Sequence, residues 1–183
     1  MSKARVWVIA LAATGLLALG GCTGNPQVAA YVGGPTSPMD VQVSQAKVET
    51  IAKGIAATTT DAYDTAVTFT APVMQILVQA ALVQKVATDA KITVTDAQRE
   101  TFYASAELYP QLVKNPDTHD FIVAFADANT ILADKAMAPA YTALVAKTPI
   151  RVNPRYGTWD AKQGGLVDGS SGSLSEVAPI KQG

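Results

Sequence analysis

Few side chains in this 183-residue protein are suited to covalent or acid–base chemistry, and those few stand apart. There is one cysteine, Cys22, and one histidine, His119. A single thiol excludes an internal disulfide framework and any metal site built from several cysteines. His119 stands in Asp117-Thr118-His119-Asp120. Nucleophilic catalysis would require a nucleophile on one side of the ring and an orienting acid on the other. The chain has no strained Gly-x-Ser-x-Gly turn, so His119 reads as an exposed residue in the first turn of a helix. Asp117, Asp120, Asp127 and Asp134 belong to one expected helix, and spacings of seven put the last three near one face. A carboxylate stripe can bind a divalent cation, but this one reads as a solvated helix face. Gly164-Gly165 and Gly169-Ser170-Ser171-Gly172 lack the flanking strand, helix and Lys-Ser/Thr pair of a phosphate loop. No catalytic, metal or cofactor constellation emerges.

Charge excludes another class. The 14 Lys+Arg nearly balance 15 Asp+Glu, and no basic stripe marks a nucleic-acid surface. The N-terminus is distinctive. Lys3 and Arg5 precede an apolar run from Val6 to Leu19, followed by Leu19-Gly20-Gly21-Cys22. That is the layout of a secretory signal peptide, and the run is short for a membrane span of ~20 residues. Leu19-Gly20-Gly21-Cys22 resembles the lipobox of bacterial lipoproteins. The resemblance implies a diacylglycerol on the Cys22 thiol and a mature chain that starts there. Residues 1–21 hold two basic residues and no acid, so the mature 162 residues would carry 12 basic and 15 acidic side chains. The lipid on Cys22 would then be the anchor, on the extracytoplasmic face of a cell membrane.

The mature chain is expected to be mainly α. Residues 22–28 form a lipidated tether, 29–160 a helical domain, and 161–183 a Gly/Ser-rich flexible tail. Ala29–Val32 reads as a short strand before Gly33-Gly34-Pro35. Ser44 suits an N-cap, with Val43 and Val48 as a hydrophobic staple, for a helix over about 45–57. A further short helix is expected over 61–70, and Pro72 suits the first turn of the next. Val73–Ala90 is the most apolar mature stretch, and a helix apolar on most sides is central or offers a second face to a ligand. Ile92-Thr93-Val94 is an extended link. Thr95 and Gln98 fit a capping box for a helix that carries Phe102, Ala106 and Leu108 and stops before Pro110. Asn115-Pro116 reads as a cap and first residue of a helix with Phe121, Phe125, Ala128 and Leu132 at core spacing. Pro139 should kink or split it. Ile150–Asn153 alternates like a strand that Pro154 confines to an edge.

What remains for function is apolar surface. Met74, Leu77, Val78, Phe102, Phe121 and Phe125 are the candidate lining of a hydrophobic groove between helices. Each would otherwise be a core residue.

The order of elements is similar to that of SurA N-terminal-domain-like lipoproteins of actinobacterial type, an extracytoplasmic foldase and chaperone family. The likeness spans about residues 29–160. Its most specific segment is Val152-Asn153-Pro154-Arg155-Tyr156-Gly157, with Ile92–Ala97 weaker. The resemblance implies a helical domain with a small two-stranded element, in which Ile150–Asn153 lies near Ala29–Val32. It also implies an apolar cleft for unfolded or nascent secreted polypeptides. Many relatives carry a parvulin prolyl isomerase domain; this chain has no room for one between Lys114 and Asn115, and one histidine cannot supply its paired histidines. The expectation is a membrane-anchored chaperone-like protein without enzymatic activity or cofactor. Its rivals are a structural lipoprotein docking one envelope partner and a carrier of a small apolar ligand.

Overall fold

The computed structural model describes residues 25, 27–59 and 65–167. The expected signal peptide, Cys22, most of the tether, the 60–64 segment and residues 168–183 lie outside the described residues.

Three short strands make a small antiparallel sheet. β1 (Val28–Gly33) lies between β2 (Asp40–Ser44) and β3 (Ile150–Val152). Ala30 pairs with Val43 on one side and Val152 on the other. The two ends of the domain therefore meet at β1, as the resemblance implies, and β2 makes the sheet three-stranded instead of two-stranded. β1 sits at the centre with Ala29, Ala30 and Val32 fully buried. Gly33 leaves the strand at φ +89°, and a Cβ there would overlap the Met39 carbonyl oxygen. Only glycine fits that turn.

Ser44 ends β2 and opens α1 (Gln45–Thr58); its Oγ accepts the Lys47 amide hydrogen bond at 3.2 Å. Val43 and Val48 are both buried, as a staple requires. The long helix α2 (Ala66–Ala90) starts six residues before Pro72. Pro72 is therefore interior and not in the first turn. It removes one amide, but it is exposed, and water can reach the Thr68 carbonyl that loses its partner. Among the described residues α2 is the one helix long and apolar enough to cross a membrane. Here it is the core helix: it packs on α1 and β1, and its apolar positions divide between two clusters. Val73, Met74, Leu77, Val78 and Leu82 join the main core, whereas Ala80, Val83 and Ala87 join a second. Two packing faces explain why the apolar surface runs so far round the axis.

Lys91 closes α2 in a left-handed conformation, φ 55°. The chain then crosses through Ile92–Val94 to α3 (Asp96–Tyr103). The capping box is present: Thr95 Oγ1 accepts from the Gln98 amide at 3.3 Å, and Gln98 Oε1 accepts from the Thr95 amide at 2.8 Å. α3 ends at Tyr103, short of the expected reach to Pro110. Ser105 Oγ turns back to donate to the Phe102 carbonyl at 2.7 Å, which competes with helix propagation. Pro110 instead opens α4 (Tyr109–Lys114).

α5 (His119–Ala133) starts three residues after Pro116. Asn115 Oδ1 caps only a turn, accepting from the Asp117 amide. Thr118 is fully buried there, and its hydroxyl donates to the Leu112 carbonyl at 2.7 Å. Pro139 separates α5 from α6 (Ala138–Lys147), the split expected of it. After β3 and a short 3-10 turn, β4 (Thr158–Asp160) pairs with β5 (Gly165–Val167). Residues 161–167 are thus a hairpin and not the start of a tail. Gln75 and Gln79 of α2 hold it: Gln79 Nε2 donates to the Gly164 carbonyl, and Gln75 Oε1 accepts from the Leu166 amide.

Candidate functional site

A half-open cleft of about 450 Å³ lies between α2 and α5, with the Ile92–Val94 link on its border. Its origin is compositional. Where α2 faces α5 the side chains include Ala80, Ala87, Ala124 and Ala128. Alanines let the helices meet without filling the space between them. Val83, Val94 and Ile131 complete an apolar floor, and all three are buried.

The polar wall is Arg99 on α3. Its guanidinium forks onto Asp127 of α5, Nε to Oδ1 at 2.7 Å and Nη2 to Oδ2 at 3.1 Å. The remaining arm reaches Asp96 at 2.9 Å. The Asp127 hydrogen bond is the first reason the Arg99 pKa is raised above the ordinary guanidinium range, so Arg99 is a permanent cation. The pair ties α3 to α5 beside the cleft. Asp120, two turns before Asp127, also lines it.

The three acids of the expected stripe therefore have different surroundings. Asp127 is ion-paired, Asp134 caps the end of α5 and accepts from the Ala136 amide, and Asp120 makes no ion pair among the described residues. Among the described residues, no three His, Cys, Asp or Glu side chains come together as metal ligands. His119 is exposed, and its Nδ1–H donates to the Val113 carbonyl at 2.7 Å, which ties α5 to α4.

The groove drawn from the sequence needs correction. Met74 and Val78 are fully buried, and Leu77 and Phe121 are 8% and 4% exposed. They belong to the main core, and of the four Phe121 also borders a depression, shared with Lys47 and Asp120. Phe102 and Phe125 are half-buried, edge to face at 5.3 Å, with Tyr109 stacked on Phe102 at 4.9 Å. These rings satisfy one another. Phe102 also borders a shallow depression with Thr101, Asn129 and Thr130. Sequence reasoning missed the cleft because it sought large apolar side chains, whereas the space is made by small ones. The traceable signal was alanine at helical spacing on two helices, with an arginine placed three residues after Asp96.

No family model, curated protein or solved structure matches this chain.

Proposed function

We propose that this protein is a membrane-anchored, extracytoplasmic, chaperone-like domain of the SurA N-terminal type. It holds apolar segments of unfolded or newly secreted polypeptides in the cleft between α2 and α5. The anchor in this reading is lipid on Cys22, and neither isomerase activity nor a cofactor is involved. The supporting observation is the cleft itself, an apolar floor open on one side and walled by a fixed ion pair. Its volume suits a few side chains, and shallow apolar contact favours weak, broad capture. The joining of N- and C-terminal strands at β1 agrees with the resemblance that suggested the class.

The test is aggregation of a chemically denatured model protein, followed by light scattering with the full chain in phosphatidylcholine nanodiscs. Suppression without ATP is expected, and Ala124→Trp, which fills the cleft, should remove it while the helical circular dichroism spectrum persists. Suppression unchanged in that variant would exclude the cleft. The same volume also falls in the range of small-molecule pockets, so a bound lipid recovered in stoichiometric amount would favour a carrier of a small apolar ligand.

A further inference from the structure

We infer that the cleft prefers apolar segments that carry a nearby basic residue, and that Asp120 receives that residue. The inference rests on the reading of the cleft as a peptide site and adds its specificity.

The charge arrangement carries the argument. Among the described residues Arg99 is the single cation in the lining, and it is committed to Asp127 and Asp96. Each of its three nitrogens donates to one of two carboxylates, so this cluster carries a net negative charge. Asp120 is the lining charge without an ion pair or side-chain hydrogen bond among the described residues. Lys47 and Asp117 border the adjoining depression on its other side, and Lys47 makes no ion pair with Asp120. A ligand seated on the apolar floor therefore meets a surplus of negative charge at one end. A cationic group is favoured there and an anionic one repelled.

Spacing makes the preference specific. Asp120 precedes Ala128 by eight residues and Ile131 by eleven on α5, about 12 to 17 Å along a helix axis at 1.5 Å per residue. An extended chain rises about 3.3 Å per residue. The basic side chain should therefore stand roughly four or five residues from the apolar side chains that occupy the floor. Asp120 is exposed, so its contribution is screened, and the preference should be about two- to five-fold in affinity.

The probes are three fluorescein-labelled peptides with one apolar cluster of Leu and Val and, four residues on, Lys, Gln or Glu. Binding is read by fluorescence anisotropy against the full chain in phosphatidylcholine nanodiscs, with empty nanodiscs as the blank. The Lys peptide should bind two- to five-fold more tightly than the Gln peptide, and the Glu peptide least. Asp120→Asn should erase the difference between the Lys and Gln peptides, and Asp120→Lys should reverse the order. Equal affinities in the natural protein, or a Lys preference that survives Asp120→Asn, would overturn the inference and leave the cleft reading standing. Failure of all three peptides to bind would overturn both.

Discussion

Removing the Arg99–Asp127 pair tests whether the cleft wall is held by electrostatics. The fork joins residues 28 apart in sequence, with Arg99 24% and Asp127 30% exposed at the side chain. Two unit charges about 4 Å apart in a medium of effective dielectric ~20 attract by roughly 4 kcal/mol. Desolvation of the guanidinium opposes this, and holding an arginine in one geometry costs part of its rotamer freedom. A net coupling of about 1.5 kcal/mol is expected, between the values for exposed and buried pairs. The assay is a double-mutant cycle with Arg99→Gln and Asp127→Asn, measured by urea unfolding. Asp96→Asn should cost far less, because that carboxylate is almost fully exposed. Coupling below ~0.3 kcal/mol would place the pair with ordinary surface contacts and refute the reasoning. So would an Asp96→Asn cost equal to that of Asp127→Asn.

Three further outcomes follow from single positions. Gly33→Ala should cost at least ~2 kcal/mol, since it adds a left-handed penalty to an overlap with the Met39 backbone; a thermal midpoint within 2 °C of the natural protein, a shift of roughly 1 kcal/mol or less at this size, would contradict it. Thr148→Val should raise stability by about 1 kcal/mol, because the Thr148 hydroxyl is buried without a partner among the described residues; destabilisation in urea would show that it has one. Burial pushes the Tyr103, Tyr141 and Tyr156 phenols above their ordinary value. The folded state therefore holds these protons more tightly than the unfolded chain. Their stabilisation is complete below about pH 10 and is lost as pH rises through the raised values. The urea midpoint should fall above that pH, and less steeply in Tyr141→Phe; identical slopes would remove Tyr141 from the account.

Local signals were legible and tertiary ones were not. Ser44 with Val43 and Val48, Thr95 with Gln98, and Pro139 each act within one turn of chain, and each does what its chemistry dictates. Pro72 misled because a helix can carry an exposed proline when water reaches the freed carbonyl. Asn115-Pro116 misled because Thr118, three residues on, finds a buried acceptor in Leu112 and delays α5. β2 is not legible from Asp40–Ser44 alone, since its strand character depends on β1 beside it. The hairpin of β4 and β5 was hidden in a Gly-rich stretch, where its fixing contacts come from Gln75 and Gln79 about 85 to 90 residues away. The cleft was least legible of all. It depends on which alanines of α2 face which alanines of α5, and on an arginine meeting a carboxylate 28 residues later.

The most direct measurement of the central claim is amide hydrogen exchange on the full chain with and without a bound apolar peptide. Slowed exchange in residues 92–94 and 120–131 is expected, with residues 158–167 unchanged. Protection confined to the 158–167 hairpin, or none at a saturating peptide concentration, would contradict it.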